Sequence, residues 1–289
     1  MGFRVDGTET SLVETRRPAR APFRTVLVQN AWTVLPTEDY EHLAAPYPLA
    51  WRARMTARRA TARVNLGRAE EVVCLTESMG NLVSGMTSRP VTVARPLAPA
   101  DVLSTSDAIP TGLPHDGSAT IILVPGTLTW YKRPQLALQI AHDLGEQWGV
   151  RPRVVYAGRD DGTGVWEAVL DEAQRRGLEV SAATLTRGEM LAAVRTCAAT
   201  IIPSQLESLS LSLSEALILS PRVIASSLSV HREMSSVLGR MPEWVETWLP
   251  HDVPSSSVAP LGVEAIRNSW RNVGAALQLP EQPAEGHSE

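Results

Sequence analysis

The sequence predicts an α/β protein built on parallel sheets, and three observations point there. Short runs rich in β-branched residues recur at 120–125, 153–157, 178–182, 198–203 and 222–225. Helix-like stretches separate them, at about 132–148, 164–176, 187–196 and onward from 212; alternation of this kind makes βαβ units. Glycine or proline closes three of the strands, at Gly126, Gly158 and Pro203, as a sharp strand-to-helix turn requires.

Taken in order, residues 1–22 are polar, Arg-rich and without pattern, and are expected to form a disordered or loosely attached arm. A strand is expected at 24–29. Residues 36–70 read as helical and strongly basic, with Arg52, Arg54, Arg58, Arg59, Arg63 and Arg68. A second strand (71–75), a short helix (78–86) and a third strand (91–95) complete a first unit, 23–98. Four prolines among Ser, Asp and Gly make 99–118, with the residues just before it, read as a linker. Residues 119–278 are expected to hold a Rossmann-like domain with C-terminal helices, and 279–289 a frayed tail.

Of 27 basic residues in 289, one is lysine, Lys132. No Gly-Lys-Ser/Thr exists, which excludes a nucleotide-hydrolase phosphate loop, and a Schiff base could form only at Lys132. A net charge of −4 argues against nucleic acid as a partner. Cys74 and Cys197 stand far apart, the six His are scattered, and no D-x-D occurs. A reduced, cytoplasmic compartment without a bound metal is therefore expected. No apolar run reaches the ~20 residues of a membrane span.

Ligands of open parallel sheets sit at the carboxyl ends of strands. One loaded strand end is 125–133, where Gly126 and Thr127 turn the chain and Lys132 and Arg133 stand at the next helix start. Cations there oppose the helix dipole, which suggests an anion between them, such as a diphosphate. A second is 203–216, with Glu207 and Glu215 spaced E-x7-E around Ser208, Leu209 and Ser210. Ser212 and Glu215 match a capping box, which favours a helix start; the Ser/Leu alternation favours a half-buried strand. Gly158 opens a third, weaker glycine-rich turn.

This ordered set resembles the donor-binding domain of retaining GT-B glycosyltransferases of family 4, from Ile121 to Glu233. The matching residues are Gly126-Thr127…Lys132-Arg133, Tyr156-Ala157-Gly158, Pro203-Ser-Gln-Leu-Glu207-Ser208-Leu-Ser210, Glu215-Ala and His231-Arg-Glu233. The resemblance implies a GT-B-like fold whose N-terminal Rossmann-like unit is incomplete, since nothing in 1–22 matches that domain's opening strands. It implies that Lys132 contacts a donor diphosphate, that Glu207 binds hydroxyls of the transferred sugar, and that Glu215 binds the ribose. The backbone of 208–210 would approach the sugar and phosphate. Thr127 stands where the family has Arg, with Arg133 adjacent. Ser208, Ser210 and Ser220 stand where it has Gly; if φ there is positive, Ser is strained. Gln29 and Asn30, at the end of a strand bordering the acceptor, are the catalytic candidates.

The expected function is metal-independent, retaining transfer from a nucleotide-diphosphate sugar to an unknown acceptor, with no cofactor. The alternative is a degenerate or split transferase serving as an auxiliary subunit, in a hetero- or homo-oligomer, because a truncated sheet leaves strand edges open. A sugar-nucleotide epimerase-like layout is a third reading. Arg52–Arg68 would allow peripheral contact with an anionic membrane face, against the plainer reading of a solvated helix.

Overall fold

The computed structural model describes residues 2–5, 8–12, 25–96, 98, 99, 101, 102, 113 and 120–245. The expected tail at 279–289 and the C-terminal helices beyond 245 lie outside them, as does most of 103–119.

The second half forms a six-stranded parallel sheet from β6 (Ile121–Pro125), β7 (Arg153–Ala157), β8 (Glu179–Ala183), β9 (Ala199–Ile202), β10 (Val223–Ser226) and β11 (Glu243–Val245), ordered β11-β10-β9-β6-β7-β8. Successive strands are added to one side of β6 (β7, β8) and then to the other (β9, β10, β11), so a crevice opens at the carboxyl ends of β6 and β9. The period-2 pattern divides the core. Ile122, Val154, Tyr156 and Ile201 pack with α4 (Pro134–Trp148) and α5 (Val165–Arg176) on one face. Leu123, Val155, Val223 and Ala225 pack with α6 (Arg187–Thr196), α7 (Leu211–Leu219) and α8 (Ser229–Leu238) on the other.

The Ser/Leu run that sequence left between strand and helix is helical. It is enclosed by neighbours, which is why it lacks a polar face: Leu213, Ser214, Ala216, Leu217 and Ser220 are all buried. The Ser214 hydroxyl is satisfied within the helix, donating to the Ser210 carbonyl at 3.2 Å. The capping box expected at Ser212 and Glu215 does not form. Helix α7 starts at Leu211 with Ser210 as its N-cap, so Glu215 falls beyond the third helical position.

The first half is a five-stranded sheet in the order β1-β2-β3-β4-β5. β3 (Thr25–Val28), β4 (Glu71–Cys74) and β5 (Val91–Val93) are parallel and carry the buried Val26, Val28, Val72 and Cys74. Two segments of the expected arm instead supply strands. β2 (Thr8–Leu12) pairs parallel with β3, and β1 (Gly2–Val5) pairs antiparallel with β2. β1 forms the edge of the sheet, and their shortness and mixed composition hid both strands. The expected helix at 36–70 is two helices, α1 (Thr37–Ala44) and α2 (Leu49–Arg68), because Pro46 and Pro48 interrupt the backbone between them. Helix α3 (Glu77–Ser84) follows β4, its N-cap Thr76 accepting from Met79 N–H.

The basic face of α2 is only partly solvated. Arg59 is buried; its guanidinium donates to the carbonyls of Trp32 and Leu35, both at 2.9 Å, and lies 4.2 Å from the Tyr40 ring centre. Met55 is buried in the core and Trp51 stacks on Tyr47, while Arg54, Arg63 and Arg68 are exposed. Among the described residues, no helix is long and apolar enough to cross a membrane.

The two halves touch extensively. The Glu233 carboxylate accepts from the backbone N–H of Glu77 (2.7 Å) and of Ser78 (3.0 Å), and from the Ser78 hydroxyl (3.0 Å). A residue of α8 thus caps the N-terminus of α3, where free N–H groups and the helix dipole favour an anion. Leu206, in the loop after β9, is inserted in the core of the first half.

Candidate functional site

The loops after β6 and β7 are zipped together, and glycines make this possible. Gly126 N–H donates to the Ala157 carbonyl at 2.9 Å, and Leu128 N–H to that of Arg159 at 2.8 Å. A Cβ on Gly158 would lie 2.1 Å from the Gly126 carbonyl oxygen, so only glycine fits there. Gly126 has φ +102°, and a Cβ on it would lie 2.8 Å from Lys132 Nζ. The turn therefore clears a space that the Lys132 ammonium fills.

Lys132 reaches across the crevice to Glu207, with Nζ to Oε1 at 3.5 Å. The same Oε1 accepts from the Ser204 hydroxyl at 2.9 Å. Thr127, Lys132, Pro203 and Ser204 line one small cavity over the β6/β9 ends. Arg133 does not join them there. It caps α4 in the left-handed region, φ 51°, and lines a separate depression with Trp130, Glu172 and Arg176.

The loop after Glu207 joins the halves. The Ser208 hydroxyl donates to the Gln29 carbonyl, and its own carbonyl accepts from the Thr76 hydroxyl at 3.1 Å. Leu209 packs against apolar clusters of both halves. Ser210 has φ −95° and Ser220 φ −73°, and Ser208 is likewise outside the left-handed region. Serine is thus unstrained at all three positions. The buried Ser210 hydroxyl has no hydrogen-bond partner among the described residues.

Glu215 is placed differently from Glu207. It is buried, and Arg187 Nη1 meets its Oε1 at 2.5 Å while also pairing with Asp101. Burial raises its pKa, and Arg187 opposes the rise. A ribose could reach that carboxylate only by sharing or displacing Arg187. Of the catalytic candidates, Asn30 uses its side-chain oxygen to accept from Trp32 N–H at 3.0 Å, capping a short turn, while Gln29 is exposed. Both line a cleft of about 460 Å³ between the sheets, together with Trp51, Tyr131, Asp161 and Glu207.

Sequence reasoning missed Arg187, Asp161, the Glu233 cap and the aromatic wall of this cleft. Trp32 is its hub, in edge contact with Tyr40, Tyr47, Trp51 and Tyr131 at 5.1–6.1 Å. The signal was present: four of these rings fall within residues 32–51, in a chain only 5% aromatic. Among the described residues, no group of three or more His, Cys, Asp or Glu side chains is arranged to hold a metal ion.

Comparison of the sequence with family models and with curated proteins finds no match. Solved structures are similar in fold. A UDP-forming α,α-trehalose-phosphate synthase from Burkholderia xenovorans superposes with a TM-score of 0.56 at 12% identity, over 90% of this chain and 61% of that one. Such a synthase from the same organism in complex with glucose-6-phosphate gives 0.54 at 10%, over 89% and 62%. Sucrose-phosphate synthase from Thermosynechococcus elongatus gives 0.54 at 16%, over 89% and 60%. The chain spans about three-fifths of the length of these structures. The fold is therefore α/β with parallel sheets, of the GT-B type.

Proposed function

We propose that the protein transfers a glycosyl group from a nucleotide-diphosphate sugar, with retention and without a metal ion. The observation that carries this reading is Lys132 held 3.5 Å from Glu207 over the β6/β9 crevice. At that distance the pair is looser than a hydrogen bond, and a diphosphate can draw the ammonium away. Glu207 is then left to accept hydrogen bonds from sugar hydroxyls. The N-terminus of α7, with the unpartnered Ser210 hydroxyl, offers donors for phosphate oxygens. Lys132 and that helix terminus would supply the charge that a metal otherwise brings to a leaving diphosphate.

In the transfer, the bond from the anomeric carbon to the phosphate oxygen breaks and its electron pair leaves with the nucleoside diphosphate. The acceptor hydroxyl oxygen bonds to that carbon from the same face, and its proton passes to the departing phosphate oxygen. Gln29 and Asn30 have no acid–base capacity and would position the acceptor.

The auxiliary-subunit reading draws on one observation, the Arg187 pair that occupies Glu215. An assay of the purified chain with UDP-, GDP- and ADP-sugars, read by NMR of the product anomer, separates the two. Turnover with retained configuration supports the transferase. Nucleotide binding without turnover supports the auxiliary role, and an inverted product overturns retention. An altered sugar formed without acceptor would indicate an epimerase.

A further inference from the structure

We infer that the cleft between the two sheets is an acceptor site for an uncharged sugar ring and that it discriminates against phosphorylated sugars; this rests on the transferase reading above. The cleft, about 460 Å³, has the size for one or two sugar rings and opens onto Glu207. Its walls differ in chemistry. One is aromatic: Trp51 and Tyr131 are half-buried and face it, backed by Trp32 and by Tyr47, whose ring stacks on Trp51 at 3.9 Å. Rings held this rigidly make a platform for the apolar C–H face of a pyranose.

The other wall is polar and carries no cation. Gln29 and Asn30 are neutral, Asp161 and Glu207 are carboxylates, and no Lys, Arg or His is among the described residues that line the cleft. Carboxylates and amide oxygens accept hydrogen bonds from sugar hydroxyls, as a polyol needs. A phosphate dianion needs the reverse, donors and positive charge. Lys132 bears on the cleft through Glu207, and once it turns to a donor diphosphate that carboxylate loses this cation. Tyr47 and Tyr131 add to this: burial, the nearby Asp161 and, for Tyr131, Glu207 raise both phenols, so they stay neutral hydrogen-bonding groups.

The test uses the full chain saturated with whichever of UDP, GDP and ADP binds it, as measured first by calorimetry. Glucose, galactose, mannose, N-acetylglucosamine and their 6-phosphates are then compared by saturation-transfer NMR and titration. At least one neutral sugar is expected to bind, and its 6-phosphate at least tenfold more weakly. Trp51→Ala should weaken the neutral sugar at least tenfold. Asp161→Asn, which retains an oxygen for the Thr163 N–H now 3.0 Å away, should narrow the preference severalfold without disturbing the fold. A 6-phosphate that binds as well as its parent sugar overturns the inference. So does the absence of any neutral-sugar binding while one of these diphosphates binds, which leaves the donor reading intact. Sugar binding with this preference but no affinity for UDP, GDP or ADP supports the cleft chemistry and defeats the donor reading instead.

Discussion

Glu233 and Ser78, 155 positions apart, meet through two hydrogen bonds of 3.0 Å, one from the Ser78 backbone N–H and one from its hydroxyl. The contact ties α8 of one sheet unit to the first turn of α3 in the other. Glu233 is almost wholly buried, and Arg95 lies nearby with Nε 3.9 Å from its Oε1. Replacing it by Ala would strip three donors of their acceptor at once. A loss of about 2–3 kcal/mol is expected, since unmet buried donors cost about 1–3 kcal/mol. Urea unfolding should show it, with amide exchange rising first at Glu77 and Ser78.

The same carboxylate makes stability depend on pH. Burial raises the folded-state pKa of Glu233, against the opposing hydrogen bonds of Ser78 and the charge of Arg95. With the folded pKa above the unfolded one, the folded state binds the proton more tightly. That contribution is complete below the unfolded value of about 4.5 and is lost as pH rises through the folded pKa. Glu233→Gln should therefore flatten the decline of stability from pH 4.5 toward neutrality, though its absolute stability is lower. A parallel decline in both proteins would contradict this.

Arg187 is expected to matter for folding as well as for any nucleotide. Asp101 first and Glu215 second keep its guanidinium firmly charged. Without it, Glu215 would be a buried carboxylate without its cation. Full burial would cost about 3–5 kcal/mol for such a loss. Because Arg187 is itself 43% exposed, about 1–2 kcal/mol is expected for Arg187→Ala once solvent screening is allowed for. Most of it should return in the double variant Arg187→Ala/Glu215→Gln, measured by thermal unfolding at pH 7.

The two glycines should fail in different ways. Gly158→Ala places a methyl against the Gly126 carbonyl, so the paired loops must separate; a stability loss of about 3 kcal/mol or more is expected. Gly126→Ala is strained at φ +102°, costing about 1–2 kcal/mol, and its methyl displaces Lys132 Nζ. Gly126→Ala should thus lose nucleotide affinity beyond what its stability explains, as parallel calorimetry and thermal melts would show.

The fold was readable where pattern and length agreed. Strands β6, β7 and β9 are short, β-branched and closed by Gly or Pro, and nothing else fits that grammar. β1 and β2 escaped notice because both are short, and Thr-Glu-Thr-Ser-Leu, with one apolar residue, reads as coil. Lys132 and Glu207 were marked in the sequence as loaded strand ends, but the ion pair that joins them was not foreseen. Arg187 was not: its pairing with Glu215 crosses from one helix to another, and no local periodicity records it. Nor was Glu233, whose partners lie in the other half of the chain. Arg133 illustrates the opposite error. Adjacent to Lys132 in sequence, it faces a different depression, because the left-handed turn at its own Cα redirects the chain into α4.

The most direct measurement of the central proposal is calorimetric titration of UDP, GDP and ADP into the wild-type chain and into Lys132→Ala. One of these diphosphates should bind the wild type, equally well with a chelator present. The Lys132→Ala affinity should fall roughly 10- to 100-fold, as expected for a charge-assisted contact of about 1.5–3 kcal/mol, with the melting temperature unchanged. Binding of none of them at millimolar concentration, or equal binding by the variant, would contradict the assignment of Lys132 to a donor diphosphate.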